Sequence, residues 1–569
     1  MLCSCLLPFL KARPTQSVDI PFIKGLSYKL NTGYNYRNQA IETYYGRNTR
    51  TGLQNKGESK IGNNNTDDWL LENLINYDRT FGKHTISFTG LYSEQQRKYI
   101  SHTTDALGFV SDIQTNYQNG LATTINAADN YDQYNNISQM GRLNYSYAGK
   151  YLLTATVRRD GYSGFGSDTK YGTFPSIALG WNIGSEEFIK KYSWIENLKL
   201  RASYGKNGNQ AIGAYATLPQ LSNQSYLNTD KTPAIGYYTN KLGDPTLGWE
   251  STLGANFGLD FGFLKGRITG SIDYYNSKTS NLLLSRSISP VNGVKNITQN
   301  IGEIKNHGID FTISSINIKK GSFIWTTDFN ISHNSNKIVD VGLTGANGKA
   351  ISDIGNTWFI GQPIDVNYGY VFNGIWQTSD NIAASAQPTA KPGDVKIKDV
   401  NGDGKITVDD KSVIASKVPD YIAGLTNTFS YKGFSLSVFI RAVHGITKTN
   451  SLLNTYFDGR NGALDRQFWS AGNPINTYPA NRDDANPFGV GIFDKKTSNA
   501  SFIRLQDISL SYSLPKGIVQ QIKMKKLQVF ANAKNLITST NWIGLDPEFD
   551  SQTGMPQVRT FIIGLRSQF

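Results

Sequence analysis

Apolar and polar residues alternate along much of this chain with a period of two. In Leu198-Lys199-Leu200-Arg201-Ala202-Ser203-Tyr204 the alternation is strict. From Arg267 to Tyr275, Ile268, Gly270, Ile272 and Tyr274 share one face, while Arg267, Thr269, Ser271 and Asp273 share the other. Phe434, Leu436, Val438, Ile440 and Ala442 face away from Ser435, Ser437 and Arg441. Phe323, Trp325, Thr327, Phe329 and Ile331 do the same against Thr326, Asp328 and Asn330. The pattern predicts strands with one dry and one wet face. Many of these segments approach ten residues, beyond the usual five or six and near the length of a tilted strand that crosses a bilayer.

Strands are expected at 26–37, 69–80, 83–97, 136–147, 150–160, 173–183, 196–206, 247–261, 266–277, 302–317, 322–334, 421–431, 433–447, 500–513, 525–537 and 556–569. Tight turns at Phe81-Gly82, Gly149, Leu264-Lys265, Lys320-Gly321 and Lys432 join several pairs. Long polar connections separate those pairs, at 98–135, 207–246, 278–301, 335–420 and 448–499. Short and long connections therefore alternate, as in outer-membrane barrels with periplasmic turns and outside loops. A soluble propeller or sandwich has shorter strands and no reason to sort its loops by parity. No repeat of about 40 residues marks propeller blades. Tyr368-Gly369-Tyr370-Val371-Phe372 looks strand-like, but counting it as wall puts two long connections in succession, so 365–376 is assigned to the long loop. The fold class is all-β, a transmembrane antiparallel β-barrel with about 16 wall strands and long extracellular loops. Strands 26–37 and 556–569 would stand at its two edges with unpaired backbone groups, unless the wall closes at that number.

Composition narrows the reading. Charged residues are 18%, against about 25% in ordinary soluble domains. Aromatics reach 12%, with 31 Tyr, 28 Phe and 9 Trp, and there are 55 Gly but 4 Met, which suits strands and polar loops over helices. No run of about 18 apolar residues occurs, so no transmembrane helix is expected. The net charge of +13 is scattered, and its densest cluster is Lys523, Lys525 and Lys526. A nucleic-acid surface concentrates its charge, so no nucleic-acid partner is expected. Cys3 and Cys5 are the only cysteines, which excludes a disulfide scaffold and a cysteine zinc site. Met1 to Leu10 is apolar, yet Lys11 and Arg13 follow that stretch instead of preceding it. Residues 1–22 are accordingly expected to be a leader or an arbitrary start, and 23–569 the barrel part.

Particular motifs carry a family resemblance. They are Arg158-Arg159-Asp160-Gly161-Tyr162-Ser163, Phe165-Gly166, Tyr171-Gly172-Thr173-Phe174-Pro175-Ser176, Gly180-Trp181 and Leu198 to Gly205 with Gly208-Asn209. Trp249-Glu250, Gly302-Glu303-Ile304-Lys305-Asn306-His307-Gly308, Asp399 to Ile406 and Arg504 to Tyr512 continue the series. In this order and spacing the sequence resembles the C-terminal part of SusC/RagA-type TonB-dependent outer-membrane transporters. The resemblance implies an expected 22 strands in the complete barrel. It also implies a plug, a TonB box and six earlier strands with no counterpart here, hence a truncated transporter or gene fragment. Further implications are outer-membrane lipid around the wall, a glycan or peptide ligand, a SusD-type surface lipoprotein over the long loops, and the TonB complex as energy source. A passive outer-membrane pore or adhesion barrel is the second reading, and a secreted all-β binding protein the third.

No His-Glu-x-x-His, nucleophile elbow, phosphate loop or dinucleotide fingerprint occurs, so an enzyme is not expected. His84, His102, His307, His333 and His444 are isolated from one another. One constellation has a metal chemistry. Asp399, Asn401, Asp403, Gly404, Lys405, Thr407 and Asp410 fit positions 1, 3, 5, 6, 7, 9 and 12 of a calcium loop. The expected ligands are Asp399, Asn401, Asp403, Lys405 through its carbonyl, and Asp410, with Ca2+ in a structural role. The alternative is a polar Gly-Asp turn. Trp358, Trp376 and Trp469 suit either sugar stacking or packing within the loops.

Overall fold

The backbone reverses where a left-handed conformation is tolerated. Gly82, Ala148-Gly149, Leu264-Lys265-Gly266, Gly321 and Lys432-Gly433 all take positive φ, the geometry that matches tight hairpins to twisted strands. All five expected turns therefore hold, and three of them place non-glycine residues in the left-handed region: Ala148 (φ 52°), Leu264 and Lys265 (φ 56° and 57°), and Lys432 (φ 44°). The structure is a computed structural model that describes residues 2–6, 9–289, 291, 293–450, 467–482, 497–521, 523–549, 555 and 557–568. The chain forms two compact units: residues 1–181, 202–255 and 279–302, and residues 182–201, 256–278 and 303–569.

Among the described residues sixteen long strands carry the fold. The first eight are Leu26–Tyr45 (β1), Glu58–Phe81 (β2), His84–Leu107 (β3), Thr124–Tyr147 (β4), Tyr151–Tyr162 (β5), Tyr171–Asn182 (β6), Ile195–Asn209 (β7) and Glu250–Phe263 (β8). The rest are Ile268–Ser280 (β9), Glu303–Lys320 (β10), Phe323–Asp340 (β11), Tyr421–Tyr431 (β12), Phe434–His444 (β13), Phe502–Ser513 (β14), Lys526–Thr540 (β15) and Thr560–Gln568 (β16). They coincide one for one with the sixteen segments that alternation marks. Phe569, the last residue of the segment expected at 556–569, lies outside the described residues.

In the first unit, β1 to β6 pair antiparallel in chain order, with Leu26 opposite Tyr77, Phe81 opposite His84, His84 opposite Tyr147, and Tyr151 opposite both Tyr147 and Trp181. In the second unit, β10 to β16 do the same, with Lys320 opposite Phe323, Tyr431 opposite Phe323 and Phe434, Phe434 opposite Tyr512, and Lys526 opposite Gln568. Within each unit the tight turns thus share one end, and the long connections leave from the other.

Aromatic rings collect at the tight-turn end. His84, Tyr147, Tyr151 and Trp181 form a row with centroid spacings of 4.9, 6.4 and 6.4 Å. Phe434 and Tyr512 in the second unit stand 4.3 Å apart. Above that belt the apolar face is open: Phe88, Leu143, Val157, Ile177 and Leu179 are all exposed. The opposite face is tied by polar pairs such as Thr89 to Asn76 (3.1 Å) and Thr154 to Asn144 (2.8 Å). A dry outer face and a wet inner face reproduce the period of two read in the sequence. No described helix is long and apolar enough to cross a membrane.

Three expectations are corrected. Strands β1 to β4 run 20 to 24 residues, well past their expected limits. The connection expected at 98–135 accordingly shrinks to the residues between β3 and β4. The edge expected at 26–37 is not an edge: Leu2–Leu6, Phe9–Ala12 and Thr15–Asp19 pair in succession along β1, from Leu2 opposite Tyr44 to Asp19 opposite Ser27. Within 1–22, expected as a leader or an arbitrary start, the described segments 2–6, 9–12 and 15–19 therefore contribute ladder. The assignment of 365–376 to a loop holds, since Val366–Tyr370 pairs with Lys411–Ser416 and Phe372–Ile375 with Val395–Ile397, inside that connection.

Candidate functional site

The long connections of the second unit build a packed platform at the loop end. Tyr370, Ile375, Val395 and Ile397 form its core, with Phe372, Ile406 and Trp469 against it. Buried Gln387 closes the edge of the small sheet, donating to the Val395 carbonyl (3.1 Å) and accepting from the Ile397 amide (2.7 Å). The separate segment 467–482 is stitched to this core. Trp469 Nε1 donates to Gln377 Oε1 (2.9 Å), Asn476 Oδ1 accepts from the Ile375 amide (2.6 Å), and the Ala480 amide donates to the Gly393 carbonyl (2.8 Å). Arg482 pairs with the buried carboxylate of Asp394. Gly393 sits at φ 91°, and a Cβ there would lie 2.4 Å from the Trp469 ring, so only glycine fits. Trp376 is buried with the Lys396 ammonium 4.2 Å from its ring centre. Trp376 and Trp469 therefore pack within the loops, the second of the two uses open to them.

A charged clasp stands beside the platform strands. Arg504 on β14 is fully buried; it donates to Asp546 (2.7 Å), to Thr538 Oγ1 (2.9 Å) and to Glu548. Arg441 on β13 donates to the other oxygen of Glu548 (2.5 Å). The Phe502 ring lies 4.8 Å from the Arg504 guanidinium and 5.6 Å from that of Arg441. The connection after β15 is thereby pinned against the wet face of β13 and β14. Sequence reasoning placed Arg504 in a family motif but gave no role to Arg441, Asp546 or Glu548. Asp546-Pro547-Glu548 inside a connection carries no local pattern that names its partners.

Lower on the same wet face, Arg201 on β7 forks between two carboxylates. It meets Asp260 on β8 at 2.8 and 2.9 Å and Asp273 on β9 at 2.8 and 2.9 Å. Gly258 leaves room for the guanidinium, since a Cβ there would stand 2.5 Å from Arg201 Cζ. A planar fork satisfied on both edges fixes three strands together.

In the first unit the motif residues that carry the family resemblance converge. Tyr162, Phe165 and Phe174 are buried, and the rings of Tyr162–Phe165, Phe165–Trp249 and Phe174–Trp249 are spaced 5.1, 5.2 and 5.3 Å apart. Trp249 Nε1 donates to the Lys170 carbonyl (3.0 Å) and Tyr162 to that of Ile212 (3.1 Å). The motif glycines are the floor of this cluster: a Cβ on Gly208 would lie 2.1 Å from the Phe174 ring, and one on Gly172 2.4 Å from it. The signature is thus an aromatic lock that ties β6, β7 and the connection before β8.

The calcium pattern forms a hydrogen-bonded loop on the platform. Asp399 accepts from the Gly402 (2.7 Å) and Gly404 (2.9 Å) amides, Asn401 from Asp403 (3.0 Å), and Asp403 from Lys405 (2.9 Å). Asp410 is fully buried and accepts from Val400 (2.9 Å) and Thr407 (2.7 Å). Burial pushes the Asp410 carboxyl up, and the amides of Thr407, Val400 and Asn401 outweigh it, holding it below the usual carboxylate range. Among the described residues no group of three or more His, Cys, Asp or Glu is gathered to hold a metal ion.

Alternating strands, one-sided tight turns, aromatic belts and a wet inner face define an outer-membrane β-barrel wall. The family described as TonB dependent receptor-like, beta-barrel matches residues 13–536, and the chain belongs to that family as a SusC/RagA-type outer-membrane protein. TonB-dependent receptor P3 of Formosa agariphila is 32% identical over 96% of this chain and 57% of its own length. TonB-dependent receptor SusC of Bacteroides thetaiotaomicron is 34% identical over 76% of this chain and 44% of its own length. The chain thus spans about half the length of these curated relatives. In structure it is similar to the RagAB peptide importer in its open-open state, with a TM-score of 0.80 at 22% identity, over 99% of this chain and 62% of that one. The long connections of the present chain are accordingly extracellular.

Proposed function

We propose that this chain forms wall and extracellular platform of a TonB-dependent importer that takes up glycans or peptides too large for porins. The observation that carries the reading is the platform itself. Two connections that lie far apart in sequence share one core and one hydrogen-bond network, so they present a fixed surface instead of independent loops. Fixed loops suit a docking lid, and a SusD-type surface lipoprotein is the partner proposed for them. Energy comes from the TonB complex, and the wet face supplies the path. The role is transport, with no enzymatic step. The 399–410 loop is proposed to take one Ca2+ ion weakly through Asp399, Asn401, Asp403, Lys405 and Asp410; in support, Asp399 already wraps the Gly402 and Gly404 amides around one point. The lid is tested by purifying the protein from outer membranes and identifying co-purifying lipoproteins. Deletion of 376–396 should abolish recovery of a SusD-type lipoprotein, and recovery unchanged by that deletion contradicts the docking role.

A further inference from the structure

The outer face of the first unit carries a groove that its packing does not require. Two glycines, Gly90 on β3 and Gly141 on β4, stand directly opposite each other, flanked across the ladder by Ile75 on β2 and Val157 on β5. Neither glycine has positive φ, and a Cβ on either would meet only the Phe88 ring, at 3.6 and 4.0 Å. A Cβ would fit at either position, so backbone and packing do not require glycine at either. Their effect is a depression of about 510 Å³ between Tyr28, Ile75 and Val157. That size falls within the range of ligand sites, about 300–1,000 Å³.

One rung toward the loop end, Tyr92, Gln139 and Arg159 form a polar rim, in register across β3, β4 and β5. Arg159 lies eight residues from Tyr151 in the tight-turn belt, about 26 Å along the strand and about 20 Å in height at the tilt of a barrel wall, and so near the far edge of an apolar band about 25 Å tall. It is exposed, its guanidinium rests 4.4 Å from the Tyr171 ring centre, and it makes no ion pair among the described residues. The carboxylate of Glu94, one rung higher, accepts from the Tyr92 hydroxyl and forms no ion pair with Arg159. An exposed cation with no ion-pair partner among the described residues, at headgroup level above an apolar slot, complements an amphiphile with an anionic head.

We propose that this groove binds one acyl chain of an outer-leaflet lipid whose head is net anionic through its phosphate, with Arg159 on that phosphate. The test uses protein purified from outer membranes in dodecyl maltoside and incubated with micelles of phosphatidylglycerol or of phosphatidylcholine with the same chains. Retained lipid is counted by native mass spectrometry. Phosphatidylglycerol should bind at one per chain and resist millimolar inorganic phosphate. Arg159→Gln should weaken it about tenfold, the worth of one charge-assisted contact. Gly141→Leu should do the same by filling the slot, and Arg159→Lys should restore most binding. Equal retention of the two lipids, displacement by inorganic phosphate, or unchanged binding in both Arg159→Gln and Gly141→Leu overturns the proposal.

Discussion

Arg504 and Asp546 meet at 2.7 Å with the Arg504 side chain wholly shielded from solvent. Glu548 takes a second edge of the same guanidinium and one edge of Arg441. Two cations and two carboxylates thus hold the connection after β15 in place. Removing one member of a buried pair leaves its partners charged and unpaired, at a cost of about 3–5 kcal/mol. Arg504→Ala should destabilise the second unit by that amount in denaturant unfolding, while Arg441→Ala, whose partner keeps Arg504, should cost less. Equal small losses in the two variants would show that the clasp is not a coupled network.

The aromatic lock gives a sharper packing test. Gly208→Ala places a methyl 2.1 Å from the Phe174 ring, whereas Gly213 has open space around it. Overpacking of a filled site costs about 1–3 kcal/mol. Gly208→Ala should therefore lower the unfolding midpoint and alter emission from Trp249, and Gly213→Ala should leave both unchanged. A neutral Gly208→Ala would remove the reason offered for the family signature.

These two sites show how far the sequence was legible. Every wall strand of the sixteen was marked by alternation, because lipid on one face and water on the other impose a period of two on each. The same physics hid the upper halves of β1 to β4. Apart from Ile61, Glu58 to Asp68 has no apolar side chain on either face, as a strand standing in water on both sides can be, so no alternation marked it. The strands at 2–6, 9–12 and 15–19 were missed because a ladder built along β1 depends on its partner's edge and leaves little pattern of its own. The clasp was illegible for a different reason: Arg504 and Glu548 are joined across 44 residues by side chains alone.

On the platform, Gly393 and Trp469 interlock, and Trp469 donates to Gln377. Trp469→Ala should free segment 467–482 and open 376–396 to limited proteolysis, with the melting of the wall unchanged. Gly393→Ala should act the same way through a clash. Protection of 376–396 equal to that of the parent protein in both variants would mean that the two connections do not support each other.

Asp410 makes this region acid-sensitive. Its carboxyl is held below the ordinary value by backbone amides, so it stabilises the loop at pH above about 4, and that contribution disappears as pH falls through the lowered native value. Proteolytic susceptibility of 399–410 should rise below about pH 4, and Asp410→Asn should lose that dependence. For the proposed calcium site, titration calorimetry should detect one weak site, with Kd of about 10⁻⁴ to 10⁻³ M, lost in Asp399→Ala with Asp403→Ala. Identical heats from both proteins would leave 399–410 as a turn alone.

The central claim is energised import across the outer membrane. The most direct measurement is uptake of labelled oligosaccharides and oligopeptides by cells that depend on the importer whose wall this chain is proposed to form, with TonB present and with TonB deleted. Uptake of one class that requires TonB and is lost when 376–396 is removed is the predicted result. Uptake that proceeds equally without TonB would make the protein a passive pore and contradict the account.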